Sequence, residues 1–214
     1  MRWTETALAV GVVLLLVLWV VWVDASRLDR LHRRVDASRG VLDAQLLRRA
    51  TAAAELATSG LLDPVSSIVV GEAAWAALSA GGPVPSPAAV SGELRQVLAA
   101  DLAPRTRTAP PDLDRGQVES DLTAALRVAL ADPQETGALS ADPAGGSLLA
   151  DLSSAWYRVQ LARRFHNDAV AQTRAARRGL LVRLLRLAGS ASEPVTFEVD
   201  DEWPDGLPRE APSA

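Results

Sequence analysis

Cysteine is absent from the 214-residue chain, so neither a disulfide framework nor a thiolate metal site can form. Lysine is absent too: every one of the 22 basic residues is arginine, which we read as the mark of a GC-rich bacterial genome rather than of a function. Only His32 and His166 could titrate near neutrality. No HExxH, P-loop, GxGxxG or GxSxG pattern occurs. Aromatic residues make up 4% of the chain, and with so much Ala, Leu and Arg this composition favours helices over sheets. A net charge of -4 and the lack of a reader motif argue against nucleic acid as a partner.

What is present begins with Ala7 to Val23, ALAVGVVLLLVLWVVWV, an uninterrupted apolar run bounded by Glu5 and Asp24. At about 1.5 Å per residue it reaches roughly 25 Å, close to the lower limit for crossing a bilayer core. Trp3, Trp19 and Trp22 stand near its ends, where indoles settle at headgroup level. A cleavage site before Ser26 is the alternative, but the flank before the run carries only Arg2, offset by Glu5. The expectation is a retained single-pass anchor. Arg27, Arg30, Arg33, Arg34 and Arg39 follow it, so the positive-inside rule places the domain in the cytoplasm at the bacterial inner membrane.

Beyond the anchor the chain reads as helices separated by punctuation. From Asp24 to Ser59, Leu28, Leu31, Val35, Leu42, Leu46, Ala53 and Leu56 recur at three- and four-residue steps, with Gly40 the one weak point and Gly60 a C-terminal stop. Asp63-Pro64 opens a second helix to about Ser79. A loop from Gly81 to Pro87 and a short helix from Ser91 to Leu102 precede a helix over Asp114 to Ala131 that aligns Leu122, Leu126 and Leu130. Asp132 to Gly146 reads as a flexible connection. The last helix, Ser147 to about Leu187, carries Leu148, Leu152, Ala155, Val159, Ala162, His166, Ala169, Thr173, Ala176 and Leu180 at alternating steps of four and three. The expected fold is all-α: a short flank (1–6), a transmembrane helix (7–23), an elongated antiparallel up-and-down bundle of about four helices (24–190) and an acidic, disordered tail (191–214).

Two stretches resemble a known family. Asp43-Ala44-Gln45-Leu46-Leu47-Arg48-Arg49 is similar to the D-x-Q-L-x-R-R signature of the LemA family, and Arg158 to Val170 is similar to its R-I-x-x-A-R-R-x-Y-N-x-x-V segment. Thr196-Phe197-Glu198 resembles the family's terminal F-E, and the order of anchor, first signature, variable middle and second signature agrees. The chain departs from the pattern after Arg49, where the family's proline-containing continuation is replaced by ATAAAEL, and at His166, where the family has tyrosine. The resemblance implies a helical bundle on the membrane. It implies no activity, because the family has no established catalytic residues. Asp43, Gln45, Leu46, Arg48, Arg49, Arg163, Arg164 and Asn167 are its signature positions here, with structural or interaction roles.

Residues for chemistry are few. His166 lies on the apolar track of the last helix, which favours a packed, hydrogen-bonded histidine over a catalytic one. No catalytic, cofactor or metal site emerges. Arg48-Arg49 and Arg163-Arg164 are expected to meet Asp43, Glu55 or Asp168 in ion pairs. Toward the end of the last helix, Leu181 and Leu184 gather on one side with Arg178, Arg183 and Arg186 flanking them, a pattern suited to anionic lipid headgroups. The seven acids from Glu193 to Glu210 offer those arginines an intramolecular screen. The favoured function is a non-enzymatic, membrane-anchored scaffold or interaction protein with an unidentified protein partner. The alternative is a regulator or accessory subunit of an envelope enzyme or signalling system, and an enzyme comes third.

Overall fold

A computed structural model describes residues 2–81, 112–179 and 192–209. Among these residues the regular structure is all helical, without strands. Five helices follow in order: α1 (Arg2–Thr58), α2 (Pro64–Ala80), α3 (Asp112–Ala129), α4 (Pro133–Ala141) and α5 (Pro143–Arg177). The loop and short helix expected within 82–111 lie outside the described residues, as do Leu181, Arg183, Leu184 and Arg186 of the expected lipid contact.

The ends of these helices follow from local chemistry. Gly60 takes a φ of 75°, the left-handed turn that only glycine adopts without strain, and α1 stops two residues before it. Asp63 caps α2, its carboxylate accepting from the amides of Val65 at 2.9 Å and Ser66 at 3.1 Å. The hydroxyl and amide of Ser66, with the Val65 amide, hold that carboxyl below its usual range. Asp-Pro repeats the same device twice more. Asp132 accepts from the Gln134 amide before α4, and Asp142 accepts from the amides of Ala144 and Gly145 before α5. The flexible connection expected over 132–146 is therefore corrected: it holds α4 and the first turn of α5. Two N-caps, each followed by proline at the first helical position, outweigh the three glycines that suggested a loop.

The chain divides into two compact units, each described by itself. The first comprises residues 1–39 and 165–196. There α1 and the C-terminal part of α5 pack through Val35, Ala169 and Val170. Arg34 reaches Gln172, and Ser38 Oγ lies 3.1 Å from His166 Nδ1, so the two segments run antiparallel. Among the described residues, no side chain of the apolar run of α1 is buried; Leu14, Leu15, Leu16, Trp19 and Trp22 are all exposed.

The second unit comprises residues 40–164 and 197–214. Its main core joins Ala53 and Leu56 of α1, Val70 and Ala74 of α2, Leu122 and Leu126 of α3, Leu139 of α4 and Trp156 of α5. Small residues dominate the α1–α2 contact, and a Cβ built on Gly71 would sit 3.7 Å from that of Ala57. A second cluster sets Phe197 among Leu42, Leu46, Val159 and Ala162. Phe197 belongs to the acidic C-terminal segment. The expected disordered tail is therefore corrected over 192–209, where Phe197 and Leu207 are buried at 2% and 3% exposure. Composition reads this stretch as solvated because its acids outnumber its apolar residues. Its few large side chains nevertheless find prepared hollows, and its backbone is bonded to α3 and α5.

Gly116 of α3 makes room for that strap: a Cβ there would lie 2.5 Å from the Glu198 carbonyl oxygen. Gly40 of α1 has nothing within 4 Å. Gly40→Ala is expected to stabilise the protein by about 0.5–1 kcal/mol through helix propensity. Gly116→Ala is expected to destabilise it by about 1–3 kcal/mol despite the same propensity gain, because the strap must move. Urea unfolding in mild detergent, followed by circular dichroism, measures both; equal signs would show that the strap does not press on α3.

Candidate functional site

The most unusual chemistry of the second unit lies around residues 43–49 of α1. Arg49 is fully buried, and so is Glu119 of α3. Arg49 Nη2 donates to Glu119 Oε2 at 2.8 Å and to the Glu119 carbonyl at 2.9 Å, while Nη1 donates to Thr123 Oγ1 at 3.1 Å. The guanidinium sits 4.9 Å from the ring centroid of Trp156, a cation–π stack contributed by α5. Arg115 extends the cluster, lying 3.3 Å from Asp43 Oδ1 and 4.0 Å from Glu119 Oε1. Asp43, Arg115, Glu119 and Arg49 therefore alternate in sign through the interior, with no net charge.

Burial pushes the Glu119 carboxyl above its ordinary value of 4.5. The charges of Arg49 and Arg115 and the Arg49 hydrogen bond pull the other way, and Asp43 adds to the rise. The Arg49 Nε, Arg115 Nε and Glu119 Oε1 atoms are buried without a hydrogen bond among the described residues. Desolvation of these groups is thus incompletely offset, a cost that attraction in a buried pair often fails to recover.

The strap is tied to this cluster. Thr123, which accepts from Arg49, donates to the Asp200 carbonyl at 2.7 Å, and Ser120 Oγ accepts from the Asp200 amide at 3.0 Å. Trp156 Nε1 and Gln160 Nε2 both donate to the Asp201 carbonyl, at 3.1 and 2.8 Å. Arg163 grips the Asp201 carboxylate with two hydrogen bonds, at 2.8 and 2.9 Å, the fork geometry that arginine supplies and lysine does not. Arg127 binds Glu202 at 2.7 Å.

Of the expected signature residues, the structure brings Asp43 and Arg49 into the buried cluster and packs Leu46 against Phe197. Gln45 is half-buried beside them in sequence, with Oε1 buried and without a hydrogen bond among the described residues. Arg163 engages the strap, Arg48 and Arg164 are exposed, and Asn167 is half-buried in the first unit. The ion-pair partners differ from those expected. Arg49 takes Glu119 and Arg163 takes Asp201, whereas Glu55 and Asp168 are exposed. Glu119 carried a signal that could have been followed. Continuing the Leu130, Leu126, Leu122 track backward at steps of three and four leads to Glu119 and Arg115, both charged at core positions.

His166 is buried at 2% exposure, with Nδ1 against Ser38. A cavity of about 350 Å³ in the second unit is lined by Leu61, Leu62, Leu130, Thr136 and Leu139, with Asp63, Glu135 and Asp142 at its edge; it includes neither histidine. Among the described residues, no cluster of three or more His, Asp or Glu is arranged to hold a metal ion. The charged cluster is thus a largely buried network that ties α1, α3, α5 and the strap together. Comparison with known families, curated proteins and solved structures finds no match.

Removing Arg49 alone strands the Glu119 charge, so Arg49→Met is expected to cost on the order of 3–5 kcal/mol, and adding Glu119→Leu is expected to recover most of it. The pH dependence has a definite sign. The folded chain holds the Glu119 proton more tightly than the unfolded one, so this contribution is intact below 4.5 and is lost as pH rises through the elevated value. Urea midpoints of the protein measured against Glu119→Gln should fall progressively as pH climbs from that point. A gap that widened in favour of the glutamate would show that Arg49 wins over burial.

Proposed function

We propose that this chain is a single-pass, membrane-anchored helical scaffold resembling the LemA family, placed at the bacterial inner membrane with its C-terminal part in the cytoplasm. The observation that carries the reading is α1. Its first half is long and apolar enough to cross a bilayer, with its large side chains bare. The same helix then supplies Leu42, Leu46 and Leu56 to a packed interior. Orientation rests on Arg27, Arg30, Arg33, Arg34 and Arg39 after the run against Arg2 before it.

A role in binding another protein draws support from α2. That helix buries its small face, Ala74 and Ala77 with Val70, and exposes Val65, Ile68, Val69 and Trp75. Only Glu72 interrupts this outer stripe with a charge. An exposed apolar stripe of this kind marks an interaction surface more often than a solvated one.

The missing cysteines make the test clean, since any introduced thiol is unique. Ala171→Cys, at an exposed position of α5, is expected to resist a membrane-impermeant maleimide in intact spheroplasts and to react once they are opened. The protein should stay in the pellet after alkaline carbonate washing, with its first residues present in the mature chain. Labelling of intact spheroplasts would reverse the orientation. Release by carbonate, with a mature chain beginning near Ser26, would remove the anchor.

A further inference from the structure

We propose that the first unit carries an arginine collar, built jointly by α1 and α5, that binds the phosphate headgroups of anionic phospholipids around the anchor. The inference rests on the anchored reading above and adds the ligand.

The collar follows from the antiparallel register. Arg34 meets Gln172 and Ser38 meets His166, so stepping along α1 toward the apolar run means stepping along α5 toward its C-terminal end. Arg177 and Arg178 therefore come about level with Ser26 to Asp29, a few residues beyond Val23. At about 1.5 Å per residue, Arg27 and Arg30 stand roughly 6–10 Å past the end of the run, within headgroup depth. Arg34 lies within about one further Debye length.

The arginines flank both sides of the helix pair. On α1, Arg27, Arg30 and Arg34 follow one another at steps of three and four, fall within an arc of about 60° and are exposed. Their flank is the one that touches Gln172. On α5, Gln172 and Arg174 lie about 100° to either side of buried Thr173, which puts Arg174 and Arg178 on the opposite flank. There Arg174 and Arg177 donate to the carbonyls of Pro194 and Ser192. Acids are few at this level: Asp29 pairs with Arg33, and Glu193 lies 3.5 Å from Arg174. Counting Asp24 as well, seven arginines face three acids across 24–34, 172–179 and 192–194. A two-sided positive band beside a lipid-crossing segment suits a shell of monoanionic headgroups better than one soluble anion, which would need its donors converging on a point.

The test uses the full chain reconstituted in phosphatidylcholine vesicles with or without phosphatidylglycerol, each lipid in turn brominated to quench tryptophan. Trp19 and Trp22 at the near end of the run report the adjacent lipid. Phosphatidylglycerol should quench preferentially, by several-fold, since each arginine near an anionic surface supplies on the order of a fivefold factor. The preference should shrink between about 50 and about 500 mM salt. It should vanish in the Arg27→Gln, Arg30→Gln, Arg177→Gln, Arg178→Gln variant and persist in Arg48→Gln, Arg158→Gln. Should the quadruple variant fail to fold, the salt series on the unaltered protein decides. Equal quenching by both lipids, at every salt concentration, overturns the collar while leaving the anchor in place. Absence of quenching by either lipid overturns the anchor and the collar together. Loss of the preference on adding inorganic phosphate would assign the arginines to a soluble anion and overturn the lipid assignment.

Discussion

An interior charge must be matched or it destabilises whatever encloses it, and Arg49 sets that condition on the whole second unit. It enters from α1 and draws Glu119 and Thr123 from α3 and the Trp156 face from α5. Hydrophobic packing alone tolerates sliding of one alanine-rich helix along another, because small side chains interlock weakly. A guanidinium with three directed hydrogen bonds does not. The pair Arg49–Glu119 therefore contributes more to choosing one register than to net stability, as buried polar groups do in some coiled coils. Arg115 and Asp43 extend the same logic toward the surface, each charge facing one of opposite sign.

The strap shows how this interior reaches the C-terminal segment. Thr123 passes the network from Arg49 to the Asp200 carbonyl, and Trp156 passes it to the Asp201 carbonyl. The Trp203 ring then lies tilted by 58° with its centroid 6.2 Å from that of Trp156, and its own Nε1 is bonded to the Leu207 carbonyl. A segment with seven acids against one arginine would ordinarily stay in solvent. Its acids are instead shared out: Asp201 to Arg163, Glu202 to Arg127 and Glu193 to Arg174. The opposite charge bias of the last helix is its counterpart.

How much of this was readable from residue order depends on the kind of signal. Periodicity worked well. Leu42, Leu46, Ala53 and Leu56 on α1 are buried as their spacing requires, and so are Leu152, Val159, Ala162 and Thr173 on α5. Gly60 and Asp63-Pro64 mark their boundaries through φ preference and capping, both local effects. Asp132-Pro133 and Asp142-Pro143 carry the same local message, yet nearby glycines masked it. Partner identity was not readable. Glu119 lies 70 residues from Arg49, and Asp201 lies 38 from Arg163. Nothing local distinguishes those acids from Glu55 or Asp168. Packing of the strap was hidden for a related reason: Phe197 and Leu207 are isolated apolar residues whose hollows exist only once the helices have assembled.

The same contrast bears on the outer face of α2. A residue buried by periodicity leaves its opposite face to solvent, and on most helices that face is charged. On α2 it carries one charge, Glu72, among large apolar side chains, because the helix meets α1 through small residues, including Gly71 against Ala57. Close approach there needs no large side chain, so the bulk of Val65, Ile68 and Trp75 is left outward. Such an arrangement gains nothing in the isolated domain, since those side chains remain in contact with water. Register and exposure thus have separate causes: the charged interior holds the helices in place, and the close α1–α2 approach leaves the bulk of α2 facing water.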